Sequence, residues 1–189
     1  MQLGKTLYVT NRNDWHLWLR KNYNKEKKIW LIYYRKSSGK QRISYNDAVD
    51  EALCYGWIDS TIKGIDKEKF AQRFTARRKG SKLSEMNRER VRRLIKQKRM
   101  TSEGLKAISH VFNHSEDKKT KFAIAGDILF SLKKNNIVWK NFQNFSDGYK
   151  KVRIGYLESR RKHGKAAFNK SLNYLIKKTV KNKKFGMVQ

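Results

Sequence analysis

The stretch "WIDSTIKGIDKEKFAQRFTAR" (residues 57–77) determines the fold that we predict for this chain. Its two ends, "WIDSTIKG" and "FAQRFTAR", are rich in β-branched and aromatic residues, which favour β-strands. The polar segment "IDKEK" lies between them and is typical of the connection in a hairpin. We therefore predict that two antiparallel strands form here and belong to one small sheet.

The alternation of side chains along these strands predicts a site. Successive side chains of a strand point to opposite faces of the sheet. If the apolar sides of the two strands pair, Asp59 lies on the same face as Arg73 and Arg77, with Trp57 nearby. Guanidinium groups bind anions bidentately, and a neighbouring carboxylate orients them. The pattern thus predicts a small-ligand or enzymatic pocket around Trp57, Asp59, Arg73 and Arg77; the alternative is an Asp–Arg bridge that only covers the sheet.

The flanking segments predict an α+β fold with a small, mostly antiparallel sheet. Apolar residues at helical spacing and capping residues indicate the helices, and the short aromatic run "IWLIYY" indicates a central strand. The predicted elements up to residue 121 are a helix over 13–23 capped by Asn11 or Asn13, a strand over 29–34, a turn over 36–40, a return strand begun by "RIS", helices over 44–56, 84–98 and 102–112, and a loop over 113–121.

The character of the chain changes near residue 122, after which only helices are predicted. These are expected over 126–136, 138–145, 147–160 and 164–180. We therefore predict an α+β domain over residues 1–122 and an all-helical C-terminal subdomain over residues 123–189. The 189 residues are enough to bury a sizeable core.

The charge of the chain is its most unusual property. It has 46 Lys and Arg against 16 Asp and Glu, a formal net charge of +30. Such an excess favours an anionic partner, either a polyanion such as nucleic acid or a small-molecule anion, although compositional bias is an alternative cause. Four cations lie close together on one side of the helix predicted over 84–98: Arg88, Arg92, Lys96 and Arg99. This face either binds a phosphate backbone independently of sequence or is simply solvated.

The sequence supports neither a metal site nor a cofactor. Its single cysteine, Cys54, lies at the end of a predicted helix, where a buried structural thiol is favoured over a nucleophile. His110 and His114 have helical spacing but lack the intervening glutamate of a zinc motif. No apolar run approaches the length of a membrane span, so we predict no membrane segment and a cytoplasmic location. The sequence contains no signal for the oligomeric state.

Two long segments resemble the YdeI/OmpD-associated family. The first is "ISYNDAVDEALCYGWIDSTIKGID" (43–66), continued by "FAQRFTARRKGSKLSEMNRERVRRLIKQKRMTSEGL" (70–105), and the second is "IGYLESRRKHGKAAFNKSLNYL" (154–175). Two departures affect the loop after the second strand, because Ala76 stands where that family has proline and Leu83 where it has tryptophan. In the tail, "GKAAFNK" replaces the family's usual arginines.

The resemblance implies an indirect role in stress or bacteriocin protection and no agreed catalytic residues. Direct capture of cationic peptides is disfavoured, because a chain of charge +30 repels them. From the residues, we expect a cytoplasmic, non-enzymatic protein that binds a polyanion through basic helices. The alternative function is the pocket around Trp57, Asp59, Arg73 and Arg77.

Overall fold

A computed structural model describes residues 3–119 and 122–186 of the chain. The described residues form an α+β fold with a four-stranded sheet, as the sequence predicts. The strands are β1 (Thr6–Leu7), β2 (Lys28–Tyr34), β3 (Trp57–Gly64) and β4 (Lys69–Ala76). The helices are α1 (Arg12–Asn22), α2 (Tyr45–Cys54), α3 (Glu85–Lys96), α4 (Ser102–Ile108), α5 (His114–Lys119), α6 (Gly126–Lys133), α7 (Asn136–Asn144), α8 (Asp147–Arg161) and α9 (Lys165–Val180).

The sheet has the order β1-β2-β4-β3, and two of its three pairings are antiparallel. The predicted hairpin is confirmed, since β3 and β4 pair antiparallel and are joined by the turn at residues 65–68. The carboxylate of Asp66 stabilises this turn by accepting hydrogen bonds from the backbone N–H groups of Glu68 and Lys69 at 2.8 and 2.9 Å. An irregularity in β3 lies between Asp59 and Ile62, where the register shifts.

Helices α1 and α2 begin at capping residues that the sequence indicates. The side chains of Asn11 and Ser44 accept hydrogen bonds from the backbone N–H groups of Asp14 and Asp47, respectively. The largest buried side chains include Trp15 of α1, Trp57 of β3 and Phe74 of β4, which belong to one hydrophobic core with α2. The indole N–H of Trp57 donates to the carbonyl of Tyr23 at 3.0 Å. Trp57 is therefore a core residue with a satisfied polar atom.

Two glycines allow the end of α2 to approach α4 closely. Gly56 has a φ of +72°, and a Cβ there would lie 2.5 Å from the Cβ of Ala107. A Cβ on Gly104 would lie 2.1 Å from the carbonyl oxygen of Cys54. Only glycine fits at these positions, so the "CYG" segment before β3 has a clear architectural role.

The chain divides into two compact units. The first comprises Met1–Leu83 and Arg90–Asn113, and the second comprises Ser84–Glu89 and His114–Gln189. In the second unit, apolar side chains of α6–α9, among them Phe142, Tyr149 and Leu175, form a separate core. A domain is a part of the chain that folds on its own, and a division by contacts does not measure independent folding. The predicted domains over 1–122 and 123–189 therefore stay a prediction.

Two local predictions are wrong, and one short strand was not predicted. The short strand β1 was not expected, because two residues leave too little pattern to detect. The "RIS" segment (42–44) does not form a strand; Ile43 is buried and its backbone N–H donates to the carbonyl of Val9 instead. The segment predicted as a loop over 113–121 contains the helix α5. Residues 120 and 121 of that predicted loop lie outside the described part of the chain.

Within residues 3–119 and 122–186, none of the helices combines the length and the apolar character needed to cross a membrane.

Candidate anion-binding groove

The hairpin places Asp59 and Arg73 on opposite faces of the sheet. Asp59 lies directly opposite Phe74 in the antiparallel pair, and directly opposed residues share a face. Arg73 precedes Phe74 and so points to the other face. The predicted common face is therefore wrong. The prediction paired Ile58 with the apolar side of β4, whereas Trp57 is the residue that enters the core.

Asp59 lies among polar groups on the face that also bears the core. The hydroxyl of Tyr45 donates to Asp59 Oδ2 at 2.7 Å, and Gln72 Nε2 lies 3.5 Å from the same oxygen. The Gln72 amide also donates to the carbonyl of Ser60 at 3.3 Å. These contacts satisfy the carboxylate without an arginine, so Asp59 does not orient Arg73.

A cavity of about 480 Å³ lies next to this group and is lined in part by Tyr33, Arg42, Tyr45 and Gln72. The Tyr33 hydroxyl is buried and has no hydrogen-bond partner among the described residues. Burial is the main reason that the pKa of Tyr33 is raised well above its ordinary value, with smaller contributions from Tyr45 and Asp59. This hydroxyl therefore stays protonated.

Arg73 lines a groove on the opposite face of the sheet. The groove has a volume of about 600 Å³ and is lined by Lys27, Lys28, Ile58, Ser60, Arg73, Thr75, Ala76, Arg78 and Ser81. Arg73 Nε donates to the Ser60 hydroxyl at 2.9 Å, and its guanidinium lies 5.8 Å from the centre of the Trp30 ring. These two contacts fix the side chain and leave both terminal nitrogens of the guanidinium without a protein acceptor among the described residues.

The described residues that line this cationic groove contribute four positive charges and no carboxylate. Among residues 3–119 and 122–186, the side chains of Lys27, Lys28 and Arg78 form neither a hydrogen bond nor an ion pair, and all three residues are exposed. Glu26, the acid that lies next to Lys27 in the chain, pairs with Lys5. The groove can therefore hold an anion without displacing an internal partner.

Arg77 does not enter the groove. It follows β4, and its Nη2 donates to the carbonyl of Lys82 at 2.7 Å. Burial lowers the pKa of Arg77. Of the four residues predicted as one pocket, Trp57 is in the core, Asp59 on the core face, Arg73 in the groove and Arg77 in the following loop. Their roles as ligand-binding residues stay a prediction, but they do not form a single pocket.

Some of the cations predicted to bind nucleic acid form ion pairs with carboxylates. Three of these cations lie on α3, and Arg99 follows it. Arg99 pairs with Glu51, and Arg88 lies 3.9 Å from Asp117. Lys96 is exposed. A nucleic-acid-binding role for Arg88, Arg92, Lys96 and Arg99 stays a prediction, although at least Arg88 and Arg99 have an internal counter-ion.

The sequence analysis missed two carboxylates of α2 that bind arginines. Asp50 and Glu51 of α2 are only 3% and 1% exposed. Asp50 accepts from Arg90 and Arg93, each at 2.6 Å. Glu51 accepts from Arg12 and Arg99 and lies 3.0 Å from Nδ1 of His16. We name this group, comprising Asp50, Glu51, Arg12, His16, Arg90, Arg93 and Arg99, the buried ion cluster.

The available signal for the buried ion cluster was weak. Asp50 and Glu51 lie between the pairs Ala48–Val49 and Ala52–Leu53, which the sequence correctly predicts as buried. A continuous burial from Ala48 to Cys54 places both acids inside as well. Arg90 and Arg93 of α3 lie 40 and 43 residues from Asp50, and Arg12 and Arg99 lie 39 and 48 residues from Glu51, so only the tertiary structure reveals the pairing.

Other candidate chemistry finds little support in the described residues. Burial raises the pKa of the Cys54 thiol to about 12, with a smaller contribution from Glu51, so the nucleophilic thiolate is suppressed. Over residues 3–119 and 122–186, there is no group of three or more His, Cys, Asp and Glu side chains placed to hold a metal ion. His110 instead contacts the carbonyl of Ser81 at 3.1 Å.

Comparison with known proteins corrects the family resemblance. The matching family model is "Domain of unknown function (DUF8412)", which covers residues 7–107. The assignment to the YdeI/OmpD-associated family is wrong, because the chain matches this other family and not that one. No curated protein and no solved structure matches the chain. The matched segment includes the sheet except Thr6, the cationic groove and the buried ion cluster, and it spans more than half of the 189 residues. The chain therefore belongs to the DUF8412 family.

Proposed function

We propose that this protein is a non-enzymatic, nucleic-acid-binding protein that holds the phosphate backbone in the cationic groove. The observation on which the proposal depends is the set of four cations, Lys27, Lys28, Arg73 and Arg78, in a groove whose lining contains no carboxylate. A net charge of +30 adds a long-range attraction for polyanions.

The geometry of Arg73 suits a phosphate group. Its Nε is held by Ser60 and its plane lies over Trp30, so the direction of the guanidinium is set before a ligand arrives. The terminal nitrogens form a fork that matches two phosphate oxygens. Lys27, Lys28 and Arg78 add mobile charges around it, as expected for contacts that follow a backbone.

The groove lacks the features that recognise bases. Its lining contains no aromatic side chain, and Trp30 beneath Arg73 is buried. Stacking on exposed aromatic rings is the usual way to hold unpaired bases. We therefore expect binding that depends on charge and varies little with nucleotide sequence.

The proposal moves the binding surface from α3 to the sheet. Ion pairs with Glu51 and Asp117 reduce what Arg99 and Arg88 contribute to binding a phosphate. The groove cations have no such competitor among the described residues. A cytoplasmic location is part of the proposal, since a lone reduced cysteine such as Cys54 suits that compartment.

The test is a salt titration with a mixed-sequence fluorescent oligonucleotide. We expect the affinity of the unchanged protein to fall steeply between about 50 and 200 mM salt. The variant Lys27→Gln/Lys28→Gln/Arg78→Gln should reduce the slope of log affinity against log salt by about 2 to 3, since each neutralised phosphate contributes about 0.7 to 0.9.

The matched control is Lys21→Gln/Lys36→Gln/Lys106→Gln, which removes three exposed charges of the same unit outside the groove. Thermal unfolding should show that both variants are folded. A flat salt response of the unchanged protein would contradict the proposed function. An equal loss in the two variants would contradict the assignment to the groove.

A further inference from the structure

The second unit contains a cavity that the proposed function does not use. It has a volume of about 470 Å³ and lies between α8 and α9, closed on one side by Phe185. The residues that matter for its chemistry are Arg153, Tyr156, Arg160, Lys170, Ser171 and Tyr174. Three of these are cations, and none of the described residues that line the cavity is acidic. The volume falls in the range of small-molecule sites.

Arg153 is the most unusual residue of this cavity. It is only 7% exposed, and its Nε is buried without a hydrogen-bond partner in residues 3–119 and 122–186. Its guanidinium lies 4.7 Å from the centre of the Phe185 ring and 5.3 Å from that of Tyr149. Burial lowers the pKa of Arg153. Among the described residues no carboxylate pairs with it, which is costly for a buried charge.

Arg160 lies two turns further along the same helix and has the same deficiency. Its Nε is also buried without a hydrogen-bond partner among the described residues. The acids in this region are occupied by the adjacent Arg161, which pairs with Glu158 and Asp127 at 2.6 and 2.9 Å. Arg160 is therefore next to an arginine that pairs with both acids, and Arg160 itself forms no ion pair with the described residues. Lys170 on α9 supplies the third charge of the cavity and is exposed.

Aromatic side chains complete the cavity. Tyr156 and Tyr174 are 49% and 47% exposed, which is high for large side chains that line a cavity. Tyr174 contacts Phe185 edge-to-face with ring centres 4.8 Å apart, so its ring is held in place. Two exposed rings beside cations, one of them held by Phe185, suit a ligand that is flat at one end and anionic at the other.

We propose that this cavity binds a small phosphorylated molecule with a flat ring, of the mononucleotide class. The phosphate pairs with Arg153, Arg160 and Lys170, and the ring packs against Tyr156 and Tyr174. The phosphate supplies the counter-ion that Arg153 lacks, through hydrogen bonds for which guanidinium is well matched. This site is separate from the cationic groove: it is formed by the other unit and lies beyond the segment 7–107 that matches the family.

The test is a calorimetric titration of the full chain with AMP and with adenosine. We expect AMP to bind at least about tenfold more tightly than adenosine, which corresponds to one charge-assisted contact or more. The variant Arg160→Gln/Lys170→Gln should weaken AMP binding by about tenfold or more. These two residues are used because a change at the buried Arg153 can unfold the chain. The control Lys177→Gln, also exposed on α9, should stay within about twofold.

Three results would overturn this proposal: no binding of AMP, equal affinity for AMP and adenosine, or equal affinity of the double variant and the unchanged protein. The groove variant Lys27→Gln/Lys28→Gln/Arg78→Gln should bind AMP normally. Failure of the cavity and failure of the groove are therefore distinguishable.

Discussion

Two groups of cations in the first unit differ in whether they surround acidic side chains. In the buried ion cluster, four arginines and His16 surround Asp50 and Glu51, which are nearly inaccessible. In the cationic groove, Lys27, Lys28, Arg73 and Arg78 lie around an open depression without any acid. The first group holds the fold together, and the second can attract a ligand.

The difference teaches that charge density along a sequence does not locate a binding surface. The segment that contains α3 is dense in arginine, yet much of that charge neutralises acids of α2. Removing a buried acid leaves its cations unpaired in a low dielectric, whereas removing a groove cation leaves nothing unpaired. Changes in the two groups should therefore affect different properties, stability in one and binding in the other.

The largest expected effect concerns the buried ion cluster. Glu51→Gln should lower the free energy of unfolding by about 2 to 3 kcal/mol, because Arg99 loses its carboxylate and Arg12 keeps only its pair with Asp47. Urea denaturation measures this change. Glu68→Gln, an exposed acid of the hairpin turn, is the matched control and should leave the unfolding curve where it is. A loss below about 1 kcal/mol for Glu51→Gln would mean that the cluster is not a stabilising core.

The next effect depends on pH. The Cys54 thiol lies beside the buried ion cluster, and its pKa is raised from 9.0 to about 12, mainly by burial. The neutral thiol is favoured in the folded state, so its contribution to stability is complete below pH 9 and is lost as the pH rises toward 12. The unchanged protein should thus lose more stability over this range than Cys54→Ala. Parallel curves of unfolding free energy against pH for the two proteins would show that the thiol is accessible.

A matched pair of tyrosines should change stability in opposite directions. Tyr33→Phe removes a buried hydroxyl that has no partner among the described residues and should raise the free energy of unfolding by about 1 kcal/mol. Tyr45→Phe removes the hydrogen bond to Asp59 and should lower it by about 1 kcal/mol. Chemical denaturation of both variants checks this. Two changes of the same sign would contradict the hydrogen-bonding assigned to the cavity beside Asp59.

The smallest expected effect concerns the stability of the groove variant. Lys27→Gln/Lys28→Gln/Arg78→Gln should change the free energy of unfolding by less than about 0.5 kcal/mol, because these side chains form no ion pair among the described residues. Thermal unfolding measures it. A loss comparable to that of Glu51→Gln would show that the groove cations have internal partners and would remove the contrast between the two groups.

Much of the fold follows from local signals in the sequence. Asn11 and Ser44 predict the starts of α1 and α2, and the aromatic run at 29–34 predicts β2. The hairpin from Trp57 to Ala76 is predicted by its strand residues and polar turn. These signals depend on neighbours in the chain, which is why the sequence is sufficient to find them.

The sites depended on information that the sequence does not contain. The choice between Trp57 and Ile58 as the buried residue decides the face of Asp59, and only the core contacts of Trp57 settle it. The pairing of Asp50 with Arg90 spans 40 residues, and the groove joins Lys27 and Lys28 to the distant hairpin. A family resemblance based on matched motifs also proved to be the wrong guide.

The most direct test of the central claim compares the groove with α3 at equal charge removal. One variant is Lys27→Gln/Lys28→Gln/Arg78→Gln and the other is Arg88→Gln/Arg92→Gln/Lys96→Gln, both titrated with the same oligonucleotide at several salt concentrations. We predict that the groove variant reduces the salt slope by about 2 to 3 and that the α3 variant changes it by less than about 1. A larger reduction for the α3 variant would contradict the account.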